Sequence, residues 1–138
     1  MAQNLIKLFL RVSIAASFLS AVADRFGWWS PEVSAWGNWT KFLDYTRIIN
    51  PWFPDSLIPT VGTVATAAET LFALCLLAGF KTEFFAKLSG FLLLAFALSM
   101  TFSSGVKGPL DYSVFSASAA AFALSLIDQK FLEIDMLR

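Results

Sequence analysis

Four stretches of the chain are apolar for long enough to cross a bilayer, and charge, glycine or proline bounds each one. They cover about residues 5–23, 61–80, 84–102 and 112–127, against the ~20 residues that a helical span needs. The first carries Lys7 and Arg11 near its start, and the third carries Lys87. The last is short and rich in small residues: Ser113, Ser116, Ala117, Ser118, Ala119, Ala120, Ala121 and Ala123. Small residues let helix backbones approach closely in lipid, so this helix is expected at the centre of bundle packing. The first stretch has a rival reading. Two basic residues, an apolar run and Ala21-Val22-Ala23 before Asp24 also describe a signal peptide with an A-x-A cleavage site. Arg11 interrupts the run too late for a compact basic leader, so a retained helix is the expectation. The pattern therefore predicts one domain over residues 1–138, an all-α bundle of four transmembrane helices.

The connection over residues 24–60 has a different pattern. All five tryptophans lie in it: Trp28, Trp29, Trp36, Trp39 and Trp52. Trp favours the membrane interface, where its ring is buried and its N–H stays wet. Asn38 or Thr40 can cap a short helix running to about Ile49. Trp39, Phe42, Leu43, Thr46 and Ile49 then share one face, and Lys41, Asp44 and Arg47 lie elsewhere. Asn50-Pro51-Trp52-Phe53-Pro54 ends that helix in a turn. The reading is an amphipathic helix in a Trp-rich outer loop, either lying on the membrane surface or folded over the bundle mouth. Residues 128–138 are short and mixed in charge, with Phe131, Ile134 and Leu137 at helical spacing.

Composition agrees with a membrane protein. Hydrophobic residues make up 57% of the 138 and charged residues only 14%, where soluble domains carry about 25% charged. Mean hydropathy is +0.67. Formal net charge is zero, so no basic face invites nucleic acid. Histidine is absent and Cys75 is the only cysteine. That removes bis-His haem, His-ligated copper or zinc, Ser-His and Cys-His catalytic pairs, and any internal disulfide. No metal, cofactor or catalytic set is expected. With four spans, Lys7, Arg11, Lys81, Lys87, Lys130 and Arg138 fall on one side, so both termini are expected in the cytoplasm.

Charge inside the apolar runs supplies the candidate chemistry. Glu69 stands mid-way along the second run, where a carboxylate costs about 2.5–3.5 kcal/mol by insertion scales unless it is compensated. Arg11 is the expected partner. Counting inward from the same membrane face places the two about 7.5 Å apart in depth, at ~1.5 Å per residue. Snorkelling of Arg11 to the interface is the competing expectation. Thr66 and Thr70 are the hydroxyls nearest to Glu69 in sequence. A second cluster is expected at the outer mouth. There Asp24, Arg25, Trp28 and Trp29 meet the loop Gly105–Ser113, which brings Lys107, Asp111 and Tyr112. Asp111 is positioned to cap the fourth helix, and Arg25 and Lys107 to face Asp24 and Asp111. Such a mouth suits an anion or a ring-bearing ligand; caps and interfacial salt bridges are the simpler reading.

The order of these positions resembles the DoxX family, in the broader grouping that includes MauE-like redox-associated membrane proteins. The resemblance covers nearly the whole chain. It rests on four spans, Arg11, Ala23-Asp24-Arg25-Phe26-Gly27, the segment Trp39–Thr46, Ala68-Glu69-Thr70-Leu71, Leu77–Thr82, and Gly108–Phe115. It implies a small four-helix membrane protein with Arg11, Glu69 and Asp111 as candidate polar positions. Some members of the family are subunits of quinone-reducing enzymes such as thiosulfate:quinone oxidoreductase. The leading expectation is an accessory subunit or assembly partner of a redox- or quinone-linked complex in a bacterial inner membrane, not catalytic by itself. Its partners are then the bilayer and other membrane subunits. The alternatives are an autonomous quinone or small-solute binder using Arg11 and Glu69, and a purely structural bundle.

Overall fold

Each apolar run ends where local chemistry stops a helix. The structure, a computed structural model, describes residues 1–137. Helix α1 covers Ala2–Arg25, α2 Trp39–Ile49, α3 Ile58–Ala78, α4 Thr82–Ser104, α5 Lys107–Asp111 and α6 Val114–Leu124. Single 3-10 turns occupy Asp55–Leu57 and Ile134–Leu137, and no strand occurs among the described residues. Pro59 sits in the first turn of α3, where its missing N–H costs nothing. At the other end Gly79 turns left-handed at φ 69°. The N–H groups of Gly79 and Phe80 then return to the Leu76 and Cys75 carbonyls, closing the helix as a Schellman motif.

Three helices are long and apolar enough to cross a membrane: α1, α3 with its leading turn, and α4. The expected fourth span, 112–127, is not one long helix. The helix there is α6, only 11 residues and so ~16 Å long, against a hydrocarbon core of about 30 Å. Ser113 takes φ 58° and separates it from α5. The two pieces nevertheless keep step with α4. Gly108 lies beside the Met100 side chain, and the Ser118 hydroxyl donates to Gly90 O at 2.8 Å. The fourth apolar run is thus a broken helix antiparallel to α4.

The core joins Ile14, Ala15 and Phe18 of α1 with Ala73 and Leu76 of α3, Ala86 of α4, and Ala121 and Leu124 of α6. The small-residue helix does pack closely, as its composition predicts. A Cβ on Gly90 would meet the Phe122 ring at 2.8 Å. Large apolar side chains face outward instead: Phe9, Leu71 and Leu74, and on α4 Phe84, Phe91, Leu98 and Phe102. That is the surface of a membrane protein in contact with lipid tails. Several hydroxyls within the helices are satisfied locally. Thr63, Thr70, Ser89 and Thr101 each donate to the carbonyl four residues back, as apolar surroundings require.

The helices end at unequal depths. Arg25, the last residue of α1, reaches Thr66, which lies about 12 Å into α3 at ~1.5 Å per residue. Residues 26–54 fill the step. Asn38 caps α2 by accepting from the Lys41 N–H at 2.9 Å. Phe42, Thr46 and Ile49 form its buried face, with Leu43 half-buried beside them. Phe42 and Leu43 press on Gly62 of α3, where a Cβ would come within 2.6 Å of Leu43. Asn50 ties the end of α2 to α4, accepting from Ser99 Oγ at 3.1 Å. Of the two placements expected for this helix, the structure shows the one folded over the bundle.

Candidate functional site: two buried ion clusters

At the stepped end, Arg25 and Glu69 form an ion pair with both side chains 3–4% exposed. Glu69 stands ~16 Å inside α3. Arg25 Nη1 touches Glu69 Oε2 and also donates to Thr66 Oγ1 at 2.7 Å. Thr66 Oγ1 in turn donates a hydrogen bond to Gly62 O at 2.8 Å. Above the guanidinium lies the Phe42 ring, 4.0 Å from Arg25 Cζ, with Trp36 at 5.5 Å. Aromatic faces suit a guanidinium that must leave water. Asp24 sets that cover in place. Its carboxylate accepts from Ser34 Oγ and from the N–H groups of Ala35 (2.7 Å), Gly37 (3.1 Å) and Trp36 (3.2 Å). Neighbouring residues therefore have complementary tasks: Asp24 shapes the loop, and the loop seals Arg25.

At the opposite end lies a cluster that sequence reasoning does not assemble. Lys7 and Arg11 are 0% and 1% exposed. Arg11 donates through Nε to Leu76 O at 2.8 Å and through Nη2 to Leu77 O at 3.0 Å. These are carbonyls of the last turn of α3, which have no partner within the helix. Arg11 Nη1 reaches Phe131 O and Leu132 O at 2.9 and 3.0 Å. Lys7 Nζ donates to Gln129 O at 2.8 Å and pairs with Glu133 at 2.7 Å. Residues 129–133 thus run across this end as a strap, with Glu133 buried. A Cβ on Gly79 would sit 2.5 Å from Glu133 Cα, so that glycine serves both turn and strap. On the rim, Lys130 pairs with Glu83 at 2.8 Å, and that carboxylate holds the ammonium above the ordinary lysine pKa.

Several expected contacts are corrected. Arg11 does not meet Glu69. It lies level with Leu76 and Leu77, about 10 Å along the axis from Glu69, and the helix-end carbonyls there are closer acceptors. Neither Thr66 nor Thr70 donates to Glu69: Thr70 turns back to Thr66 O, and Thr66 joins the cluster only through Arg25. Arg25 faces Glu69 instead of Asp24. Asp111 does not cap α6; it pairs with Lys107 one turn away, and α6 starts at Ser113 without a side-chain cap. That exposed pair makes no ion pair with Asp24 or Arg25 among the described residues. The Trp29 indole donates to Ser20 O at 3.1 Å. Trp28 and Tyr112 are 76% and 78% exposed, while Asp24 and Trp29 line one groove. Burial raises the Tyr45 phenol, beside Trp36, above its ordinary value, and Tyr112 adds to the effect.

Two shallow grooves flank Asp24 and Arg25. One, of about 480 Å³, lies between the parallel rings of Phe26 and Trp39 and the Thr63–Thr70 face of α3. The other, of about 450 Å³, runs from Ser17 and Ser20 to Trp29 and Trp36. Arg11 and Glu69 line neither. Among the described residues, no three Cys, Asp or Glu side chains converge as a metal set. Comparison with protein-family models, curated proteins and solved structures finds no match to this chain.

Proposed function

We propose that the chain is a four-pass accessory subunit or assembly partner of a bacterial inner-membrane complex, with both termini cytoplasmic. The resemblance to the DoxX family makes that complex redox- or quinone-linked. One observation supports the subunit reading above the others. The basic groups buried in α1, Lys7, Arg11 and Arg25, are all engaged within the chain, while broad apolar faces stay uncovered. An autonomous binder would hold its polar groups toward a cavity. Here they are sealed, and they fix the bundle. The widest surface left for other molecules, on the long helices, is apolar, suited to lipid or to a neighbouring helix. The fourth pass is the broken helix α5–α6. The basic cluster at the strap end and the exposed Lys81 and Lys87 support a cytoplasmic assignment for that end.

Purification of the tagged native protein from its own membranes in mild detergent tests this reading. The expected result is a stable species larger than the 15.2 kDa chain, containing a second membrane protein. A preparation that always runs as the single chain with bound lipid sinks the subunit reading and leaves the structural bundle.

A further inference from the structure

We infer that the Lys7–Arg11 end is a socket for an acidic segment of irregular backbone, filled in this chain by its own residues 129–135, and that a partner's acidic segment can take their place. This deepens the subunit reading and rests on it.

Three observations carry the inference. First, the strap is recognised almost entirely through its backbone. Gln129 O, Phe131 O and Leu132 O accept from Lys7 and Arg11, and the Asp135 N–H donates to Gly79 O at 3.2 Å. Glu133 is the one buried side chain, and Phe131 is half-buried. Any segment that takes the same path, turning at the position of Leu132 and carrying one carboxylate in register, meets the same groups. Second, the strap gains little from apolar burial. Leu132, Ile134, Met136 and Leu137 are 47–87% exposed, and Leu132 is held at φ 48°, a strained setting for a branched side chain. Third, the socket favours an anion. Lys7 Nζ, Arg11 Nη1 and Lys130 Nζ lie 2.7, 3.9 and 4.0 Å from Glu133 oxygens. Removing that carboxylate takes from the fully buried Lys7 its ion-pair partner and from the buried Arg11 the stronger of its two acidic neighbours. With Glu133 in place, release of the strap is therefore favoured by arrival of another anion, which makes the device an exchange.

The test uses the full chain in nanodiscs of neutral phosphatidylcholine, with Cys75→Ala and a spin label on Met136→Cys. The probe is a synthetic peptide of residues 128–137, made with the native Glu133 or with Glu133→Gln. In the chain with native Glu133, the label should be immobile. In the Glu133→Gln chain it should be mobile, and the native peptide should bind about tenfold or more tightly than the Glu133→Gln peptide, as a lost charge-assisted bond implies. An immobile label in that chain, equal affinity of the two peptides, or no binding overturns the socket. If the Glu133→Gln chain aggregates, the chain with native Glu133 is titrated to millimolar peptide, the range needed to compete with a tethered strap. Mobilisation by the native peptide alone supports the inference, and any other result overturns it. A native complex without exchange preserves the subunit reading and removes only the socket; exchange in a chain that purifies alone does the reverse.

Discussion

Arg25 and Glu69 show how a membrane-embedded chain keeps charge: each makes the other tolerable, and aromatic rings exclude the solvent. Removing one partner leaves the other buried and uncompensated, which costs about 3–5 kcal/mol, whereas replacing both with apolar residues is often neutral or stabilising. Glu69→Leu should therefore lower the thermal midpoint in detergent sharply, and Arg25→Leu combined with Glu69→Leu should recover most of it. A double variant as unstable as the single one would show that the site does more than hold helices. Lys130 gives a pH dependence. Its folded pKa lies above the ordinary 10.5, mainly through the hydrogen bond to Glu83. The contribution of this pair is fully present below pH 10.5 and fades as pH rises through the folded value. Limited proteolysis should cut residues 128–137 faster only above that range, and Glu83→Gln should remove the pH dependence. The carboxylate at 69 is legible in the sequence as an anomaly, but its partner is not. Arg25 reads as the end of a helix in water, because nothing in the sequence shows that α1 stops deep against α3. Glu133 is hidden for the opposite reason: it lies in a polar tail whose path over Gly79 depends on tertiary contact alone. The available signal is Lys7 and Arg11 themselves, two cations in an apolar run with no nearby acid in sequence.

At the scale of elements, the apolar runs locate three long helices well, since lipid-facing and core-facing residues both have to be apolar. The fourth run misleads because composition cannot report a break that turns on one residue, Ser113 at φ 58°. The amphipathic period and cap do identify α2. Asn38→Ala removes the cap bond to Lys41 and should cost about 1 kcal/mol, seen as faster amide exchange in α2 with the long helices unchanged. The α4–α6 seam depends on close approach. Gly90→Leu must displace the Phe122 ring and separate Ser118 from Gly90 O, a cost of about 1–3 kcal/mol by overpacking. A lowered thermal midpoint, with Ser118→Ala producing only a small further loss, is the expected pattern. Full additivity of the two would place them in independent contacts.

At the scale of the molecule, two sealed ion clusters pin α1 to α3 near its two ends, with a dry apolar middle between them. The proposed orientation follows from this layout and can be read by labelling. On a Cys75→Ala background, a membrane-impermeant maleimide added to intact cells should modify Glu32→Cys and spare Leu137→Cys; the reverse pattern inverts the topology. The strap has a consequence in time. Lys7 and Arg11 are made at the start of synthesis, and Glu133 more than 120 residues later. At translation rates of about 5–20 residues per second, the first helix waits roughly 6–25 seconds for its counter-ion. During that wait its two cations hold the N-terminal turns of α1 at the wet edge of the bilayer. A chain interrupted before Glu133 therefore keeps this end unsealed, marking itself as unfinished to any protease that patrols the membrane surface.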